Sequence, residues 1–123
     1  SFAALADEYV GSVAYNDMYP EGVEPLEVNI TRLLDPKEIK WKQFLTPGVA
    51  IPTPAARNST AVGAFEGAGY LSKGMYRPQM NCIMGNALPP PNDVFCVVCQ
   101  AGIQRMIDYY SVAVKAPAAA PAR

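Results

Sequence analysis

Apolar and polar positions settle into a sustained helical rhythm once along this chain. Val94, Val97, Val98, Ala101, Ile103, Met106, Ile107 and Tyr110 recur three and four residues apart. That spacing predicts a helix over Asp93–Ala113, with Asp93 as its N-cap. A weaker version opens the chain. In SFAALADEYV, Phe2, Leu5 and Tyr9 share helical spacing and Gly11 supplies a stop, so the segment reads as the second half of a helix. Gly11–Pro25 suits an irregular, aromatic-rich loop, and Leu26–Thr31 alternates in a way that predicts a short strand.

Asp35-Pro36-Lys37-Glu38 combines an N-cap residue, a proline at the first helical position and an acid in the first turn. It predicts a brief helix or turn through Trp41–Leu45. Ala61–Tyr70, rich in small residues around Val62 and Phe65, suits a strand or a tight loop. Leu71–Met84, with Gly74 and Pro78, reads as loop, and Leu88–Asn92 as a rigid connection. No internal repeat or linker divides the chain. One domain portion is expected over 1–115, followed by a low-complexity tail over 116–123.

Composition sharpens this picture. Half of the 123 residues are apolar and 17% are charged, enough for a packed core. Twelve prolines exclude a helical bundle. Ten basic against eleven acidic residues leave no surplus for a polyanion, so no nucleic-acid partner is expected. No apolar run approaches the roughly 20 residues of a membrane span. The absence of histidine removes Ser-His-Asp and Cys-His nucleophiles and any complete His-based metal site from this chain taken alone.

Cys82, Cys96 and Cys99 crowd into the last third. Three cysteines without a histidine fall one ligand short of a structural zinc site. A disulfide from Cys82 to Cys96 or Cys99 is the leading expectation, with buried thiols next. Asn29-Ile30-Thr31 and Asn58-Ser59-Thr60 are glycosylation tripeptides, compatible with a secreted protein.

Five segments occur in a telling order: Leu5-Ala6-Asp7-Glu8-Tyr9, Phe65-Glu66-Gly67-Ala68-Gly69-Tyr70, Gly74-Met75-Tyr76-Arg77-Pro78, Asn81-Cys82-Ile83-Met84 and Phe95-Cys96-Val97-Val98-Cys99. Together they resemble the IgA peptidase family of zinc metallopeptidases, a metzincin-like group, over roughly Ser1–Tyr110. In that family the segment like SFAALADEY follows the zinc motif His-Glu-x-x-His. The resemblance therefore implies the loop-rich C-terminal portion of an α+β peptidase domain, with a helix at each end and few strands. The first half of the domain, including two zinc histidines and the general-base glutamate, would lie upstream.

What the resemblance implies for function is a zinc-dependent endopeptidase acting on a protein or peptide substrate. Its setting would be secreted, periplasmic or at the cell surface. Asp7 leads as the third zinc ligand, with Glu8 as the alternative or as a partner of a ligand histidine. Were a histidine to precede Ser1 directly, Asp7 would fall two helical turns on, on the same face. Ala3 and Ala6 stand where the wider metzincin pattern has a glycine and its third ligand. Either the helix runs longer here, or the ligand comes from another turn. Met84 corresponds to the Met-turn beneath the metal. Tyr70, Tyr76 and Arg77 are candidates for the substrate and oxyanion side, the alternative being that Arg77 pairs with Glu66 to brace two loops. Two other readings stay open: a non-catalytic secreted binding module of the same fold, and a small disulfide-stabilised secreted domain.

Overall fold

The computed structural model describes residues 5–8, 10, 19–56, 59–82, 84 and 94–119, with side chains as far as 112. Two strands form an antiparallel hairpin, β1 over Phe65–Ala68 and β2 over Leu71–Arg77. Among the described residues, a helix, α1, covers Val97–Ala119 and a 3-10 turn covers Lys42–Phe44. The rest of the described chain is turn and loop, as twelve prolines require. The architecture is mixed α+β and loop-rich.

Several local expectations need correction. Leu5–Glu8 is not helical, so among the described residues a helix stands at the C-terminal end only. The expected tail contributes to α1 as far as Ala119. Asp93, the expected N-cap, lies outside the described residues, and α1 begins at Val97. Leu26–Thr31 makes no strand: Thr31 alone pairs, in an antiparallel bridge to Tyr76. Leu71–Arg77, expected as loop, is β2. Its buried residues gather at Met75 and Tyr76, while Ser72, Lys73 and Gly74 are exposed. A strand buried at one end only shows no period-2 alternation, which is why its sequence reads as loop.

The hairpin turns sharply. Gly67 and Gly69 take positive φ, at 107° and 58°, and the register breaks between Glu66 and Ala68. Tyr70 also holds a positive φ, 68°, which is costly for a residue with a Cβ. Contacts to the N-terminal segment stabilise it there: the Gly69 N–H donates to Asp7 O at 2.8 Å, and Val10 bridges Tyr70 in parallel.

Two cations organise the loop before the hairpin. The Lys40 ammonium donates to the carbonyls of Pro25, Glu27 and Ile30 and lies 3.1 Å from Glu24. Arg32 donates to the carbonyls of Tyr19, Pro20 and Val23. Loop carbonyls turned away from water need such donors. Trp41, almost fully buried, donates from Nε1 to Gly63 O at 2.7 Å and joins a core with Leu5, Ile39, Ala64, Val98 and the three cysteines. Gly102 lets α1 close on this core: a Cβ there would lie 3.1 Å from Val28 and 3.2 Å from Leu5.

Candidate metal centre

The site grows from one short segment. Leu5–Glu8 is not helical, and its side chains divide between core and surface: Leu5, Ala6 and Glu8 are buried, Asp7 half-buried. Asn29 clamps this segment. Its Oδ1 accepts the Ala6 N–H at 2.7 Å, and its Nδ2 donates to Ala6 O at 2.7 Å and to Glu8 Oε2 at 2.8 Å. Asn29 is therefore fully buried, and the first glycosylation tripeptide is a structural clamp rather than an exposed acceptor. Asn58, of the second tripeptide, lies outside the described residues.

Neighbours in sequence thus face different chemistry. The Asp7 carboxylate accepts a hydrogen bond from the Tyr70 hydroxyl, across the backbone bond from Gly69. Tyr70, expected on the substrate side, stands against Asp7. Glu8 points instead among the cysteines. The donor atoms of Glu8, Cys82, Cys96 and Cys99 all lie within 4.8 Å of one another.

The disulfide expected from Cys82 does not form; all three cysteines are free, buried thiols. Cys82 Sγ lies 3.6 Å from Cys99 Sγ, and Cys99 Sγ lies 3.2 Å from Glu8 Oε2. The Cys96 backbone N–H donates to Cys82 Sγ at 3.2 Å, and the Glu8 N–H donates to Met84 O at 2.7 Å. Met84 is half-buried against the core beside this cluster; Ile83 and Gly85 lie outside the described residues. Met75 is fully buried in a separate cluster with Ala6, Ile30 and Ala68.

Electrostatics follow from burial. Desolvation and the neighbouring Cys82 push the Glu8 carboxyl up to about 8, against hydrogen bonds from Asn29 and Cys99 that favour its charge. Hydrogen bonding with Cys96 and Cys99 pulls the Cys82 thiol well below the ordinary thiol range. The same contacts raise the other two thiols. Arg77 lies close enough for its charge to favour the ionised forms of Glu8 and Cys82.

Tyr76 is buried and hydrogen-bonds Glu66, while its backbone exchanges two bonds with Thr31. Arg77 donates to the carbonyls of Glu66 and Gly67, bracing β1 from β2. The Glu66 carboxylate instead accepts the Gly74 N–H at 3.0 Å. Arg77 also lines an open groove of about 500 Å³ with Phe65, Glu66, Lys73 and Met80.

Asn29 was invisible as a site residue from sequence, its tripeptide suggesting an exposed acceptor. Glu8 as a partner of the cysteines was also missed. The two are 91 positions apart where Glu8 meets Cys99, and no local pattern carries so long a contact.

This arrangement defines a loop-rich α+β segment that gathers metal-donor side chains around its N-terminal strand-like stretch. The profile of the IgA peptidase M64 family matches residues 1–60 and 55–107, and the chain belongs to that family, a lineage of zinc metallopeptidases. Comparison with curated proteins found no match.

Asp7 presents a half-buried carboxylate beside the Tyr70 phenol, and a carboxylate oxygen is one of the donor types zinc accepts. The chain contains no histidine, so imidazole ligands have to come from outside these residues. Among the described residues no helix is long and apolar enough to cross a membrane.

Proposed function

We propose that this chain works as the C-terminal part of a zinc endopeptidase domain that hydrolyses peptide bonds, with Asp7 as its ligand to the catalytic ion. The observation that carries the reading is the division between Asp7 and Glu8. Glu8 is committed to Asn29 and the cysteines, whereas Asp7 is half-buried and held by Tyr70. A short carboxylate fixed by a phenol loses little further freedom on ligating a metal. The expected helical face cannot supply the placement, because the segment is not helical. The ligand comes from a non-helical stretch, clamped by Asn29 on one side and by the hairpin on the other.

A zinc ion bound there with upstream histidines supplies Lewis acidity and an activated water. This chain's residues orient and enclose. Tyr70 orients the Asp7 carboxylate, Asn29 fixes the Ala6 backbone and the Glu8 carboxylate on either side of it, and Met84 lines the floor beside Glu8 in the role of a Met-turn. Arg77 and the groove beside β2 form the wall toward a protein or peptide substrate. A secreted or cell-surface setting suits such a peptidase.

Two variants of the full-length protein test this. Asp7→Ala should lose catalytic zinc and lower peptide hydrolysis by more than the roughly 10- to 100-fold typical of removing a group that only orients a ligand. Tyr70→Phe should retain zinc and stay within about that range. An Asp7→Ala protein that keeps its catalytic zinc and a near-normal rate would sink the assignment.

A further inference from the structure

The cluster facing away from Asp7 has more donor atoms than an apolar core needs. We propose that Glu8, Cys82, Cys96 and Cys99 form a second, structural zinc site, distinct from the catalytic ion, which ties the N-terminal segment to the Cys82–Met84 loop and to the start of α1.

Geometry is the first argument. Zinc held at about 2.3 Å from sulfur and about 2.0–2.2 Å from oxygen places its tetrahedral ligands roughly 3.5–3.8 Å apart. Cys82 and Cys99 already stand at 3.6 Å, Cys99 and Glu8 at 3.2 Å, and all four donors fall within 4.8 Å. Shifts of up to about 1 Å, shared between side chains and within rotamer play, would bring all four onto one ion.

Glu8 supplies the second, independent argument. It is 1% exposed, and its Oε1 is buried with no hydrogen-bond partner among the described residues. An orphaned carboxylate oxygen beside three thiols is costly in a protein core and becomes a ligand when a cation is present. Backbone geometry points the same way, since the Cys96 N–H already donates to Cys82 Sγ. Such N–H···S bonds spread the charge of a metal-bound thiolate, and Arg77 stands near enough to offset more of it.

Donor chemistry selects the ion. Three sulfurs and one oxygen in a closed, four-coordinate, buried set suit zinc, and leave no position for a reacting water. On binding, the protons of the thiols and of the Glu8 carboxyl pass to solvent and the ion takes their place. No electron is transferred. The site holds three distant pieces of chain together, which places a metal where the sequence led one to expect a disulfide.

Cobalt substitution in the full-length protein reads this site apart from activity. The proposed catalytic ligands, Asp7 and upstream histidines, give no thiolate charge transfer, so an intense near-ultraviolet thiolate-to-cobalt band that Cys99→Ser removes and Asp7→Ala keeps reports the cysteine cluster. The expected result is that band at one cobalt per chain, in addition to the catalytic metal, with all three thiols protected from a thiol reagent. Cys99→Ser should abolish the band, and Asp7→Ala should leave it intact. A wild-type protein saturated with cobalt that shows no thiolate band, or whose Cys82 is disulfide-bonded by peptide mapping, overturns the proposal. Because the wild-type spectrum decides, a variant that fails to fold does not blunt the test, and loss of peptidase activity alone does not bear on it.

Discussion

Asp7 and Glu8 are joined by one peptide bond, yet they belong to regions with opposite demands. On the Asp7 side a carboxylate is half-buried and accepts a hydrogen bond from the Tyr70 phenol beside a hairpin turn. On the Glu8 side a carboxylate is buried among three thiols and an asparagine amide. The first arrangement leaves a ligand within reach of something that comes and goes. The second closes around whatever it holds. The family's chemistry needs both: a reaction centre with an open position, and a scaffold rigid enough to hold it in place.

The sharpest way to break this comparison is to exchange the demands. Asp7→Ala should nearly abolish peptide hydrolysis while moving the thermal midpoint by little, because Asp7 and its partner Tyr70 are both only half-buried. Glu8→Ala should do the reverse in proportion: a large drop in midpoint, with the cobalt–thiolate spectrum altered. Activity and melting curves measured together on the two variants decide it. Equal losses of both properties in both variants would mean that the two sides are one unit.

Asn29→Ala comes next. It leaves the Ala6 N–H and C=O without these partners and strips Glu8 Oε2 of one of its two donors in a dry environment, and each buried group left unpaired costs about 1–3 kcal/mol. A destabilisation of about 3 kcal/mol or more is expected from urea unfolding. Asn29→Asp keeps the acceptor for the Ala6 N–H but adds a second carboxylate beside Glu8, so it should rescue little. If Asn29→Ala is neutral, the clamp does not set the Asp7–Glu8 geometry.

Lys40→Ala tests whether the loop side is independent of the metal side. Removing the ammonium leaves three carbonyls and Glu24 without their common donor, at a cost of about 2 kcal/mol. The cobalt spectrum should not change. The smallest effect belongs to Gly102→Ala. A gain of up to about 1 kcal/mol in helix propensity opposes tight contacts with Val28 and Leu5, so the midpoint should barely move. A large loss would mean that α1 has no room to adjust against the segment it covers.

The sequence by itself determined a good deal. The period in Val97–Tyr110 marked the only long helix described, because an amphipathic helix repeats its contacts locally. Asp35 and Pro36 marked a turn, and Asp35 Oδ1 does accept the Lys37 N–H. The order of short motifs identified the family, and the three cysteines stood out as a group, though as a disulfide rather than as the free thiols they are.

The tertiary structure decided the rest. β2 is a strand because β1 and Thr31 pair with its backbone, and a backbone partner leaves no trace in side-chain pattern. Asn29 became a clamp rather than an exposed acceptor because Ala6 and Glu8 lie against it. Glu8 completed the cysteine set from 91 positions away, where the rule that three cysteines lack a fourth ligand had stopped short. Each of these rests on contacts between residues far apart in the chain. Periodicity and spacing report only what neighbours in sequence do to one another, and the loops that bring distant donors together are set by packing.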